Sequence, residues 1–407
     1  MNSRVPFWWV VVLTVAAVIP RLPMVSADFY LDDRLLLERA GSPEGIAGAL
    51  VDALPPGVYR PLVTMHFEWC YALFGANAPA FHLVSIALHL VTVWLVFMLC
   101  SRLGGRGWPA CVGALIFALL PSLNEAIAWS ASVGDVWAAG FVVSAILFAL
   151  AAENAPSSTS LMLRLGSLAM TVFGCAAKEP AVVAILLVPL AILVFCAKRP
   201  GWGWMAAYPM IGVAYLAWHA TRLEGPGAIA ILAGNPSRCF VRTVQNLVMT
   251  LQPGDGNIVG DWLWSSRGTT LWLVSGVAGL LAWWIVRAVR RGDRLVAFGW
   301  LWAVVAFVPV CQFPWAERYS YLPAVGLALV AVEVLNGVRG CRTVRLIAIV
   351  VVLLAILATG SFLSAVRWTQ KIGQFTPVQN RSSIAAQWKP APKAVSSTRS
   401  PLVTRPC

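Results

Sequence analysis

FWWVVVLTVAAVIPRLPMVSADFYLDDR, residues 7–34, decides the fold: a bilayer-length apolar run is followed by two adjacent acids, Asp32 and Asp33. A charge at bilayer depth costs several kcal/mol, so acids are scarce in a membrane-spanning chain. Two side by side just past the first span need a reason. One is helix capping, since an Asp before Arg34-Leu35-Leu36-Leu37-Glu38 makes a helix start. The other is chemistry at the membrane surface, with a carboxylate as general base for a substrate that arrives by lipid. The apolar run is too long for the core of a signal peptide, and no small-residue cleavage site is clear before Asp28, so it reads as a retained span.

The same kind of run recurs to the end of the chain. Its 407 residues are 59% hydrophobic and 12% charged, with 20 Trp, whereas soluble domains are about a quarter charged. A bilayer core of about 30 Å requires helices of about 20 apolar residues, and the runs have that length. A barrel would show segments of about ten residues with alternating polarity. The chain is therefore an all-α polytopic membrane protein. About eleven transmembrane helices are expected, over 7–25, 82–100, 108–123, 132–152, 161–177, 180–197, 202–220, 269–286, 295–311, 319–336 and 346–365.

Lys and Arg set the orientation. With the N-terminus in the cytoplasm, the inner turns carry Arg102 and Arg106, Lys198 and Arg199, then Arg287, Arg290, Arg291 and Arg294, and finally Arg339, Arg342 and Arg345. The short outer loops carry only Lys178 and Arg318, each beside a Glu. Two outer loops are long, 26–80 and 221–268. A transporter usually keeps its site near the bilayer midplane; polar material gathered on one face suggests work done there. Leu62, Met65, Trp69 and Leu73 share one helical face, 35–54 contains a second helical stretch broken at Gly41-Ser42-Pro43, and 240–251 is a third. All three read as helices lying in the interface. Residues 1–366 form one transmembrane domain. The basic, Pro- and Ser-rich tail 367–407 is expected to be mobile, and the span count puts it outside.

Several residues can carry chemistry beyond Asp32 and Asp33. Glu125 and Asp135 flank a short outer turn, and Asp135 lies far enough into its helix that it should face a protein cavity; helix capping is the bland alternative for both. Lys178-Glu179-Pro180 and Glu317-Arg318-Tyr319 are charged islands between apolar spans. A Lys and an Arg there can hold a lipid phosphate, or simply snorkel to the interface. Arg60 is a third such cation. His82 and His89, two helical turns apart, read as helix-interface residues. The cysteines show no metal-ligand spacing, and no phosphate-binding glycine loop or nucleotide-sugar signature is present.

The order of motifs is informative: the acidic pair, Tyr59-Arg60-Pro61-Leu62, Phe81-His82-Leu83-Val84 leading to His89-Leu90, Leu120-Pro121 with Glu125-Ala126-Ile127-Ala128-Trp129, Ala177-Lys178-Glu179, and Glu317-Arg318-Tyr319-Ser320-Tyr321-Leu322-Pro323. It resembles the polyprenyl-phosphate-sugar-dependent glycosyltransferases of the C-type fold. Within them it is most similar to the tetratricopeptide-bearing transmembrane O-mannosyltransferases and their bacterial relatives. The resemblance covers roughly residues 5–366. It departs at Pro121-Ser122, where the family often has a His after the Pro. A short basic tail also stands where tetratricopeptide repeats often follow, which leaves acceptor recognition open.

The resemblance implies inverting transfer of a sugar, with mannose the candidate, from a polyprenyl-phosphate donor to a hydroxyl of a protein, lipid or glycan at the outer face. Asp32 and Asp33 would supply the base. Arg60, Lys178 and Arg318 would hold the lipid phosphate, and Glu125, Asp135, Glu179 and Glu317 would bind sugar or acceptor. No cofactor is expected; adjacent acids can hold a divalent metal, but nothing in the sequence calls for one. No nucleic-acid partner is expected. The rival readings are a polyprenyl-linked glycan ligase, polymerase or flippase, and a non-enzymatic transporter. The composition suggests a GC-rich bacterial genome, which would place the protein in the inner membrane with its active face outward.

Overall fold

The computed structural model describes residues 6–41, 60–105, 107–197, 201–221, 236–250, 267–311, 313, 316–337 and 342–375. The expected helix beyond Gly41, most of the second long outer loop and the tail from 376 lie outside the described residues. Among the described residues fifteen α-helices follow in chain order. They are α1 (Phe7–Val18), α2 (Asp33–Ala40), α3 (Pro61–Phe74), α4 (Ala78–Leu103), α5 (Trp108–Leu119), α6 (Asn124–Ala128), α7 (Val133–Ala152) and α8 (Ser157–Ala177). Then come α9 (Ala184–Phe195), α10 (Trp202–Ala220), α11 (Pro236–Thr250), α12 (Arg267–Arg291), α13 (Arg294–Phe307), α14 (Tyr321–Asn336) and α15 (Arg342–Phe375). No strand occurs among the described residues.

All eleven expected segments are largely helical. Among the described residues six helices are long and apolar enough to cross a bilayer, or seven where the bent pair Trp108–Leu119 with Pro121–Ala128 counts as one span. Glu179–Phe195 and Arg294–Val310 are shorter apolar helices. The count of eleven is not confirmed among the described residues, where Pro and 3-10 segments break several runs. The bend of 56° between α5 and the segment after it has such a cause. Leu120, preceding Pro121, adopts an extended backbone (φ −60°, ψ 119°), as a residue before proline tends to. The chain from Pro121 to Ser132 then runs through two 3-10 turns and α6, with Asn124, Glu125, Ser130 and Ser132 buried. The expected short outer turn is thus a buried broken segment. Its polar groups are tolerated because they face protein, as irregular backbone in a membrane protein must.

The main core joins α1, α4, α5, α7, α9 and α14 through side chains such as Leu13, Val93, Phe117, Val142, Leu187 and Val325. A second cluster of Phe29, Leu36, Val63, Phe67 and Phe81 binds α2 and α3 to the start of α4. On α3 the face bearing Trp69 and Leu73 remains exposed while Val63, Phe67 and Cys70 turn inward, in keeping with an interfacial helix. Helix α11 instead docks through Leu247 against α13 and α14, and its end is tied down where the Thr250 hydroxyl donates to Ser320 Oγ at 2.8 Å. The last helix outruns its expected end at 365 by ten residues. Ala365, Trp368 and Ile372 continue one buried stripe, so the boundary drawn at 367 falls inside a packed helix.

Helices α13 and α14 meet at glycines. A Cβ on Gly299 would lie 2.7 Å from the Gly326 carbonyl oxygen, and one on Gly326 would lie 2.8 Å from the Ala303 nitrogen. Small residues let membrane helices approach to backbone contact. Since backbone cannot give way like a flexible side chain, Gly326→Val should cost about 1–3 kcal/mol or more. It should be read as a lower detergent melting temperature and loss of monodisperse protein. Unchanged melting would show that the two helices can separate freely.

Candidate active site

The residues singled out from sequence gather at one end of the bundle, where spans and interfacial helices begin or finish. Leu31 lies in the left-handed region at φ 44°, an uncommon and costly conformation for a residue with a branched side chain. That kink leads directly into the acidic pair and turns its two side chains to different places. Asp33 is fully buried. Its Oδ2 accepts from the Tyr30 backbone N–H at 2.9 Å and its Oδ1 from the Ala131 N–H at 2.6 Å. It pins the chain after the first span to the broken segment 120–132. Burial pushes its carboxyl up to about 7, against the pull of those backbone donors. Asp32 is exposed. Partial burial raises its pKa, while Arg318 and Arg60 pull it down, which places it within the field of both cations.

Each expected cation holds a carboxylate. Arg60, at the N-cap of α3, forks onto Glu179 with Nε–Oε1 at 3.0 Å and Nη2–Oε2 at 2.9 Å. Lys178, just past α8, pairs with Asp135 in the first turn of α7. Arg318 pairs with Glu125 through its Nη1, and its backbone N–H donates to the other oxygen of Glu125 at 3.0 Å. The Pro121 break makes this last pair possible by carrying α6 and Glu125 across to residue 318. Burial pushes the Lys178 ammonium down to about 8; Asp135 opposes the fall, while Arg60 and Arg318 add to it. The three pairs therefore form one electrostatic cluster.

Two aromatic residues that were not singled out from sequence complete it. The Arg318 guanidinium lies 4.8 Å from the ring centroids of both Trp129 and Tyr319, and Lys178 Nζ lies 5.6 Å from the Tyr319 ring. These contacts hold the cations in place through their charge. Tyr319 directly follows Arg318, but the approach of Trp129 and Lys178 is tertiary. Glu317 accepts from Trp368 Nε1 at 3.0 Å, joining the last helix to the site's margin. His89 is buried with Nδ1 2.7 Å from the Tyr321 hydroxyl, the helix-interface role expected. Among the described residues no group of three or more His, Cys, Asp or Glu could hold a metal ion.

Carboxylate–cation pairs beside one exposed carboxylate can hold an anionic group and accept a proton next to it. No protein-family profile matches the chain. Over 182 residues it is 28% identical to the Drosophila melanogaster protein O-mannosyl-transferase Tmtc1, covering 41% of this chain and 20% of that protein. Over 89 residues it is 34% identical to protein O-mannosyl-transferase TMTC2 of Mus musculus, covering 22% and 11%. The match to the first relative thus spans about a fifth of that protein's length. Among solved structures, ArnT from Cupriavidus metallidurans bound to undecaprenyl phosphate superposes with a TM-score of 0.51 at 15% identity, covering 90% of this chain and 78% of that one. The chain has the C-type glycosyltransferase fold, and its sequence is similar to that of the transmembrane protein O-mannosyl-transferases.

Proposed function

We propose that this integral membrane protein is a glycosyltransferase that moves a sugar, with mannose the leading candidate, from a polyprenyl-phosphate donor to an acceptor hydroxyl. The observation that carries this reading is the position of Asp32: an exposed carboxylate within the field of Arg318 and Arg60, at the edge of three carboxylate-paired cations. The acceptor O–H gives its proton to Asp32 as its oxygen attacks the anomeric carbon from the face opposite the phosphate. The bond from that carbon to the phosphate oxygen breaks with inversion, and the electron pair leaves on polyprenyl phosphate. Arg60, Lys178 and Arg318 stabilise the growing negative charge, as fixed donors aimed at a leaving group do. As the phosphate draws on these cations, Glu125, Asp135 and Glu179 become able to accept from sugar hydroxyls. The similar O-mannosyl-transferases favour mannose and a peptide hydroxyl, and the Lys and Arg bias of the loops favours the outer face.

The test is transfer from a panel of polyprenyl-phosphate sugars by the purified protein in nanodiscs, with Asp32→Asn as control. Turnover of one donor that disappears in the variant is expected. Absence of turnover and of binding for every donor would overturn the reading.

The proposal also fixes a pH profile. Asp32 must be ionised to take a proton, and burial raises its pKa from the ordinary Asp value, so kcat/KM should fall on the acid side at a higher pH than a free Asp would give. Lys178 must stay charged to hold phosphate, so kcat/KM should fall again as pH rises through about 8. A guanidinium keeps its charge throughout, so Lys178→Arg should remove the alkaline limb even if the maximum drops. An alkaline limb unmoved in that variant would assign it to another group.

A further inference from the structure

At the other end of α14 from Arg318, a cavity of about 190 Å³ lies between the last turn of α12, the start of α13 and the last turn of α14. The 16 residues of α14 separate it from the acid–cation cluster by about 24 Å at 1.5 Å per residue. Gly292, at φ 78°, turns the chain from α12 into α13, and Asp293 after it lines the cavity together with Arg287 and Arg291. Glu333 of α14 and Trp284 of α12 also line the space.

This lining is unusual in its charge. Two guanidiniums and two carboxylates face one small space, yet among the described residues none of the four is ion-paired with another. Arg287 spends its contact on the Trp283 ring, 5.2 Å away. Such an arrangement suits a ligand that brings both signs itself: a phosphate for the arginines and an N–H-bearing ammonium for the carboxylates. On the same face of α12 as Arg287 and Arg291, one to three turns earlier, Leu280, Trp283 and Trp284 are exposed. An apolar face ending in Trp and Arg is the pattern of a helix leaving the acyl layer at headgroup depth.

We propose that this cleft binds the headgroup of a phospholipid carrying a primary amine, of the phosphatidylethanolamine type, with its acyl chains along the exposed face of α12. Phosphatidylglycerol would satisfy the arginines but offers Asp293 and Glu333 only neutral hydroxyls, with no cation to balance their charge. The quaternary ammonium of phosphatidylcholine has no N–H to give them. The site stands apart from the catalytic reading and does not depend on it.

The experiment is lipid retention by the full chain, taken from nanodiscs of phosphatidylcholine doped equally with phosphatidylethanolamine and phosphatidylglycerol and read by native mass spectrometry. Phosphatidylethanolamine should be kept over both others by about tenfold, the factor that one charge-assisted hydrogen bond supplies. Glu333→Gln should remove the preference over phosphatidylcholine. Arg287→Gln with Arg291→Gln should abolish retention of all three; if that double variant fails to insert, Glu333→Gln decides alone. Equal retention of the three lipids, preference for phosphatidylglycerol, or a preference untouched by Glu333→Gln would overturn the proposal.

Discussion

Asp32→Asn should abolish sugar transfer while leaving the protein inserted, monodisperse and able to bind the donor. The exposed side chain makes no contact on which the fold depends, and Asn preserves its shape. A placed general base contributes a factor of about 10² to 10⁴, so kcat should fall by that much with KM for the donor little changed. Asp33→Asn should fail differently. An Asn oxygen can keep the Ala131 or the Tyr30 N–H, but its amide would face the other donor, and a buried unsatisfied group costs about 1–3 kcal/mol. That variant should melt earlier, and the fraction that folds should retain part of its turnover. The pair is thus separable: a folded, donor-binding Asp32→Asn enzyme with wild-type kcat would remove Asp32 as the base.

Arg318→Gln should lower kcat/KM by about 10² to 10³, the range lost when one fixed donor to a developing oxyanion is removed. Arg318 has three side-chain neighbours to lose: Glu125 through its Nη1, and the rings of Trp129 and Tyr319. Removing it also leaves Glu125 buried without its cation, which is costly by itself. The double variant Arg318→Gln with Glu125→Gln separates the two effects, because it should recover melting temperature without recovering turnover. Arg318→Lys keeps the charge but loses the planar guanidinium that lies against the Trp129 and Tyr319 rings, and should lie between. Full activity in Arg318→Gln would exclude this residue from leaving-group stabilisation.

Much of the fold was legible because bilayer thickness writes itself into the length of apolar runs. The break at Leu120-Pro121 was less so. The dipeptide announces a bend, but only tertiary packing decides whether the polar residues after it meet water or protein. The site was legible as a set of charges at one end of the helices, since acids and bases amid so much Val, Leu and Trp stand out. Its pairing was not. Arg60 meets Glu179 across 119 residues, and Lys178 reaches Asp135, although its own neighbour in sequence is Glu179. The division of labour in Asp32-Asp33 was also hidden, because it depends on one backbone torsion at Leu31. Arg21 passed unremarked within the first apolar run, yet it is fully buried and its Nη1 donates to the Ala17 carbonyl at 3.2 Å. Pro20 and Pro23 on either side, which leave carbonyls without helical partners, are the signal that could have found it.

The carboxylate held by each of Arg60, Lys178 and Arg318 has a consequence for selectivity in a salty medium. A cluster of bare cations would gather chloride or inorganic phosphate, and its affinity for substrate would collapse with ionic strength. Here any anion must displace an internal partner that is already close and little screened, and only a ligand that also satisfies the displaced carboxylates, as a hydroxyl-rich sugar does, recovers that cost. The donor's apparent affinity should therefore vary little between low and physiological salt, and inorganic phosphate should inhibit poorly.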